Sequence, residues 1–294
     1  KATARKMMQM VIDLNKTQFN GQQVITCYTC HQGNRIPVGT PRLPIAKPAT
    51  PDEAAAPVAL PTLDEILTKY IGALGGEQAI RKVTSRVITG TLNIPSGPGG
   101  GVPMPAMLDR SQKAPNLFVN VYRTPTYTIS DGFDGTKAWA MNLQGRVAEP
   151  TAVDQGRAKR EADFYLPLNL KQQYTSMVVQ SIVRVNDRDA YEVVGTPPGD
   201  VPERLYFDAV TGLLLRKATF LPTPAGPSPY EVNFEDYRDT GSGAKFPYLI
   251  TINPPGARVV VYGSSTLRVT KVQDNASLDN AKFAKPQSRP APAQ

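Results

Sequence analysis

Seven prolines, Pro37, Pro41, Pro44, Pro48, Pro51, Pro57 and Pro61, punctuate residues 37–61 of this 294-residue chain. Each fixes φ and removes a backbone donor, so the stretch cannot form a regular helix or a central strand. It predicts an extended, semi-rigid linker, with an irregular coat on a domain surface as the alternative. The chain must therefore be built in two parts. The apolar pattern changes across the linker, from helical spacing before it to short β-rich runs after it.

Ahead of the linker, Met7, Met10, Val11 and Leu14 fall at i, i+3, i+4 and i+7, while Lys6, Gln9, Asp13 and Lys16 share the opposite face. That periodicity predicts an amphipathic helix over residues 2–16. Asn20-Gly21 marks a turn. Lys1 leads straight into the helical pattern without a charged n-region or apolar signal core, which predicts an export signal upstream of this sequence.

Beyond the linker, Thr62-x-x-Glu65 is a capping box opening a helix at Leu63. Ile66, Leu67, Tyr70, Ile71 and Leu74 form its apolar face, and Gly75-Gly76 ends it. From Val83 onward, turn chemistry recurs at Asp134-Gly135, Asn186-Asp187, Pro198-Gly199-Asp200, Thr211-Gly212 and Gly241-Ser242-Gly243. Between these turns lie strand candidates such as Arg86–Ile94, Leu117–Arg123, Val178–Val185, Tyr191–Val194, Arg204–Phe207, Leu213–Phe220, Val232–Tyr237 and Val259–Tyr262. Residues 155–163 read as a short helix, and the proline-rich tail 287–294 as disordered. The fold class is α+β: a small helical module at 1–36, a Pro-rich linker at 37–61, and a large antiparallel β domain at 62–286 with a few helices.

Composition excludes several functions. No run approaches 18 apolar residues, so no helix spans a bilayer. A charge of +8 favours acidic partners in a general way, but no basic block interleaves with aromatics, and nucleic-acid binding is not supported. Gly97-Pro98-Gly99-Gly100-Gly101 is a loop, because a proline follows it where a phosphate-binding helix would start. Asp131, Asp134, Asp208 and Asp236 read as turn residues rather than a carboxylate pair or calcium site. Trp139 reads as core or sheet surface.

The two cysteines and the one histidine of the chain all fall within Cys27-Tyr28-Thr29-Cys30-His31. A structural zinc site needs four ligands, and no further Cys or His exists. A thioredoxin-like pair needs a βαβ setting that the pattern lacks; a plain disulfide beside a histidine is the remaining alternative. Cys-x-x-Cys-His is the attachment motif for haem c: both thiols add to the vinyl groups, and the adjacent His31 becomes the proximal iron ligand. A second axial ligand from this chain cannot be histidine. Methionine is the usual alternative, and Met7, Met8 and Met10 are the candidates, with core packing as the competing role for at least two of them.

The segments Ala4-Arg5-Lys6-Met7-Met8-Gln9-Met10-Val11-Ile12-Asp13-Leu14-Asn15 and Val24-Ile25-Thr26-Cys27-Tyr28-Thr29-Cys30-His31-Gln32-Gly33 resemble the cytochrome subunit of photosynthetic reaction centres. The resemblance spans about the first 37 residues. It implies iron ligation by His31 and by a helical methionine, placed by the Arg-x-Met-x-x-Met-x-x-x-x-Asn pattern on Met7, with Met10 as the packing residue and alternative ligand. This chain departs from the family in carrying one motif, and in lacking a histidine between Asn15 and Cys27 to serve another haem. More faintly, residues 62–286 resemble lipoprotein-carrier domains with a curved antiparallel sheet over helices. The resemblance rests on Tyr70-Ile71-Gly72-Ala73-Leu74-Gly75-Gly76, Asp131–Trp139, Tyr206–Leu214 and Asn233–Tyr237.

Together these readings predict a non-enzymatic electron carrier outside the cytoplasm, in the periplasm or at the cell surface. It would exchange electrons with redox partner proteins inside a larger assembly, either a membrane electron-transfer complex or a homo-oligomer or filament. The alternative is an apolar-ligand, lipid-binding or structural assembly protein with an accessory haem.

Overall fold

The structure, a computed structural model, describes residues 2–26, 29–30, 59–94, 104–223, 226–253 and 265–288. The chain divides into two units, Lys1–Ile45 and Ala46–Gln294. Linker residues 37–58, the loop at Gly97–Gly101, the strand candidate Val259–Tyr262 and residues 289–294 lie outside the described residues.

In the first unit, helix α1 (Ala2–Gln18) contains the predicted segment and continues past it. The predicted turn is present, with φ of 53° at Asn20 and 81° at Gly21, and the Gly21 N–H returns to the Asn15 carbonyl at 2.9 Å.

The second unit is one sheet of thirteen antiparallel strands. These are β1 (Ser85–Ile94), β2 (Met104–Lys113), β3 (Leu117–Arg123), β4 (Thr128–Phe133), β5 (Ala138–Met141), β6 (Val147–Ala148), β7 (Ser176–Val185), β8 (Arg188–Thr196), β9 (Glu203–Asp208), β10 (Leu214–Thr223), β11 (Gly226–Asp239), β12 (Lys245–Asn253) and β13 (Ser265–Asp274). The order is β6-β5-β4-β3-β2-β1-β13-β12-β11-β10-β9-β8-β7, so two meanders meet where the first strand pairs with the last. The hairpins follow the turn residues. Asn186 and Asp187, both at positive φ, form a two-residue loop between Val185 and Arg188, the geometry that matches strand twist.

Helices α2 (Leu63–Ala73), α3 (Glu77–Lys82), α4 (Ala152–Ala162) and α5 (Leu166–Asn169) complete the unit. The capping box is present: Thr62 Oγ1 accepts from the Glu65 N–H at 3.3 Å, and a Glu65 carboxylate oxygen accepts from the Thr62 N–H at 2.7 Å. Ile66, Leu67, Tyr70 and Leu74 pack against Val193, Leu205 and Phe207. Each large aliphatic or aromatic side chain so buried contributes about 1.5–3 kcal/mol. The C-terminus of α2 is stitched to the β11–β12 hairpin, where the Lys245 N–H meets the Leu74 carbonyl at 2.8 Å. Gly75 allows that approach, since a Cβ there would lie 2.0 Å from the Gly243 carbonyl oxygen.

Residues opposite one another in an antiparallel ladder share a face. Tracing the register from Phe118 through Gln112, Arg86, Ile88, Val272, Leu267, Ile250, Val232 and Lys217 to Leu205 shows that α2 and α4 cover the same face. Helix α4 touches both wings of the sheet on that face. Ala158 and Ala162 sit on Phe118, Phe133 and Ala138, while Arg157 and Arg160 reach Asp200 and Glu203 beside β9. Seven strands separate β4 from β9 in the order, so the sheet must curl for one helix to touch both. The opposite face of β3–β5 is covered by the segment leading to Phe283, whose carbonyl accepts from the Trp139 indole N–H at 3.2 Å.

Two sequence readings, at Asp131 and Asp236, are corrected. Asp131 is not a turn residue; it lies buried within β4, accepting from the Asn120 side chain across the β3–β4 pair at 3.0 Å. Asp134 and Asp208 do cap turns, through N–H donors of Thr136 and Lys137 and of Val210 and Thr211 respectively. Asp236, at φ 55°, likewise lies inside a strand, β11, with the β11–β12 register unchanged across it, and pairs with Arg238.

Candidate haem site

Helix α1 carries its three methionines in different settings. Met7 is partly buried and shares a stripe with the partly buried Val11 and Leu14. Met8 and Met10 are 51% and 47% exposed. Met10 lines a shallow groove on the helix with Lys6, Gln9, Asp13, Leu14 and Thr17. Of the three thioethers, Met7 is the one on the helix's inward stripe.

The approach to Cys27 is held by Asn15, the buried residue of α1. Its carboxamide oxygen accepts from the Val24 and Ile25 N–H groups at 3.1 and 2.9 Å, and its amide donates to the Ile25 carbonyl at 2.6 Å. Three backbone groups of the segment 24–25 are thereby satisfied by one side chain two turns after Met7. The Thr29 N–H returns to the Thr26 carbonyl at 3.1 Å, and Thr29 Oγ1 accepts from the Thr26 N–H at 3.0 Å. Thr29 and Cys30 are helical, and the Cys30 thiol is free and partly exposed. Cys27, Tyr28 and His31 lie outside the described residues.

These residues fit a covalently held haem. Two thiols, an imidazole and a thioether are a sufficient donor set. Among the described residues of the unit, Met8, Met10, Ile12 (58% exposed) and Val24 (54%) leave apolar surface exposed.

The second unit gathers no comparable set. Among the described residues no cluster of three or more His, Cys, Asp or Glu can hold a metal ion, and no helix is long and apolar enough to cross a membrane. Its densest charge cluster holds α4 in place. Arg157 bonds Asp200 through Nε and Nη2 at 2.8 and 2.7 Å, and Arg160 Nη2 bonds Asp200 and Glu203 at 2.9 and 3.2 Å. Tyr174 Oη donates to Glu203 at 2.7 Å. Burial alone would raise the Asp200 carboxyl, but the donors of Arg157, Arg160 and the Val201 backbone outweigh it and hold the group below its ordinary value. The Tyr174 hydroxyl is pushed far up by burial and by the neighbouring Glu203 charge.

Sequence reasoning named the motif and the methionines but missed the Asn15 clamp. Its signal is present: an amide side chain four residues after Val11, on the flank of the helix's apolar stripe.

Fold and site thus define a small helical module bearing a haem c motif, joined to a large carrier-like sheet. Residues 1–74 of the 294 match the family profile of the photosynthetic reaction centre cytochrome C subunit. A search of curated protein sequences returns no match. The sheet unit resembles a LolA superfamily protein from Nitrosomonas europaea at 12% identity and a TM-score of 0.51, covering 77% of this chain and 99% of that one. It also resembles a DUF1329 family protein from Desulfovibrio piger at 10% identity and a TM-score of 0.51, covering 75% and 96%. At these identities the likeness is one of fold.

Proposed function

We propose that this protein is an extracytoplasmic c-type cytochrome that passes single electrons through one haem held by Cys27, Cys30, His31 and Met7. The observation that carries the reading is the Asn15 clamp, which ties the segment before Cys27 to the helix that carries Met7. When bound, the haem supplies one-electron chemistry at iron. Cys27 and Cys30 would hold it through two thioether bonds, and His31 and Met7 would bind its iron. A thioether ligand favours ferrous iron and raises the reduction potential. The match over residues 1–74 supports the same reading. Haem is attached to such motifs outside the cytoplasm, which supports a protein of the periplasm or cell surface that would exchange electrons with redox partner proteins.

Visible spectra of the native protein with and without carbon monoxide test the assignment. Six-coordinate His/Met iron predicts a ferrous spectrum that carbon monoxide leaves unchanged. A carbon monoxide adduct forming at once would show an open distal position and a sensor or enzyme instead.

A second reading rests on the curled sheet. Leu92, Leu267, Ile250 and Phe234 are joined by register on the face that α2 and α4 cover, and each keeps part of its surface exposed. An apolar ligand on that stripe would make the haem accessory. Solvent extraction of the native protein followed by mass spectrometry separates the readings: a stoichiometric lipid supports the second.

A further inference from the structure

The two edges of the sheet are unlike. Strand β6 is two residues long, and its Val147 N–H is engaged by the Ser288 hydroxyl at 2.9 Å. Strand β7 is ten residues long, ends the sheet order, and pairs on its inner side with β8. It contains no proline, carries Arg184 as its single formal charge, and leaves Val178 58% and Ile182 38% exposed. Natural sheets blunt such an edge with charges, prolines or bulges. Of these β7 has one charge and a bulge: the register with β8 shifts between Val179 and Ser181, leaving Gln180 over.

That bulge sets which self-pairing is allowed. The register places Val178 opposite Val194, Ser181 opposite Glu192 and Val183 opposite Ala190 on one face, and Met177, Val179, Ile182 and Arg184 on the other. In a continuous sheet, residues directly opposite must share a face. Two β7 strands related by a twofold axis satisfy this on an odd sum of facing residue numbers, and a sum of 361 is the one that pairs the full strand from Ser176 to Val185. Val178 then faces Val183, Val179 faces Ile182, and Met177 faces Arg184. The exposed apolar side chains meet apolar partners, and the one charge never meets its own copy, an arrangement that would be destabilising. The even sum on which an unbulged strand would self-pair is ruled out here, because past the bulge it would set Val178 against Ile182 on opposite faces.

We propose that two copies of this chain associate through β7, antiparallel about a twofold axis between Gln180 and Ser181. The interface is isologous and closed, and the engaged β6 edge stops growth at a dimer. It does not depend on the haem reading.

Sedimentation velocity of the full native chain over a concentration series tests this. A monomer–dimer equilibrium is expected, weakened ~10-fold or more by Val178→Lys and unchanged by Val210→Lys at a remote turn tip that is 82% exposed. Facing pairs in such a ladder put Cβ atoms about 4.5–5.5 Å apart, so an oxidised mixture of Val178→Cys and Val183→Cys chains should cross-link, and Val178→Cys alone should not. A monomer at every concentration, a dimer indifferent to Val178→Lys, growth beyond dimers, or preferential 178–178 cross-linking would each overturn the proposal.

Discussion

The Asn15 carboxamide grips Ile25 at both backbone groups, accepting from its N–H at 2.9 Å and donating to its carbonyl at 2.6 Å. The helix and the segment at Ile25 are thereby fixed to each other ten residues apart, just before the motif begins. Asn15→Ala would leave these groups without their partner, at a cost of about 1–3 kcal/mol. Hydrogen exchange at the Val24 and Ile25 amides should accelerate in Asn15→Ala and stay largely protected in Asn15→Asp, which keeps the acceptor oxygens. Equal acceleration in both would show that the acceptor role is unimportant.

Met7→Ala is expected to abolish the methionine-to-ferric-iron charge-transfer band and lower the reduction potential, while Met8→Ala and Met10→Ala leave both unchanged. The helix directs this expectation, since Met7 alone of the three lies on the inward stripe. Loss of the band in Met10→Ala alone would move the ligand by one turn.

Parts of this molecule were legible in the sequence because their causes are local. The capping box at Thr62 and Glu65, the Asn186-Asp187 loop and the strand Leu117–Arg123 depend on neighbours a few residues away. Strands β2 and β12 were not among the candidates named. β2 contains Pro105 and a charged stretch, β12 contains Pro247, and both owe their pairing to partners far along the chain. Asp131 read as a turn for the same reason, because Asn120, its buried partner, lies on another strand. Of the candidate site, the residue types were readable and their geometry was not. Nothing in the periodicity of α1 distinguishes Met7 from Met10, whereas side-chain burial does.

Acid should loosen α4. In Glu203, burial raises the carboxyl, but Lys217, Tyr174 and Arg160 together hold it below its ordinary value, as the arginines do for Asp200. A carboxyl held low when folded binds fewer protons than in the unfolded chain. Its stabilisation is therefore complete above about pH 4, the ordinary carboxylate range, and is lost as pH falls through the folded value. Melting curves from pH 7 to pH 2 should show this loss, reduced in Asp200→Asn. At neutral pH that variant should cost about 3–5 kcal/mol, because it leaves two part-buried arginines short of a partner. A variant as stable as the parent at pH 7 would show that α4 is held by its alanine face alone.

Gly75→Ala should destabilise the second unit by more than 2 kcal/mol, roughly the cost of a strained left-handed residue. Its φ is +109°, and the added Cβ meets the Gly243 carbonyl at 2.0 Å. Gly199→Ala, at φ +67° with open space around it, serves as the comparison. It should cost less, and thermal melts of equal depression would show that close approach to Gly243 contributes nothing.

The central claim is covalent haem at Cys27 and Cys30, and intact-mass spectrometry of the chain isolated from its native cells tests it most directly. The account predicts a mass exceeding the polypeptide by one haem, unchanged after acidic acetone extraction, with the increment on the peptide that contains both cysteines. A mass equal to the bare polypeptide, or haem released into the acetone, would contradict it.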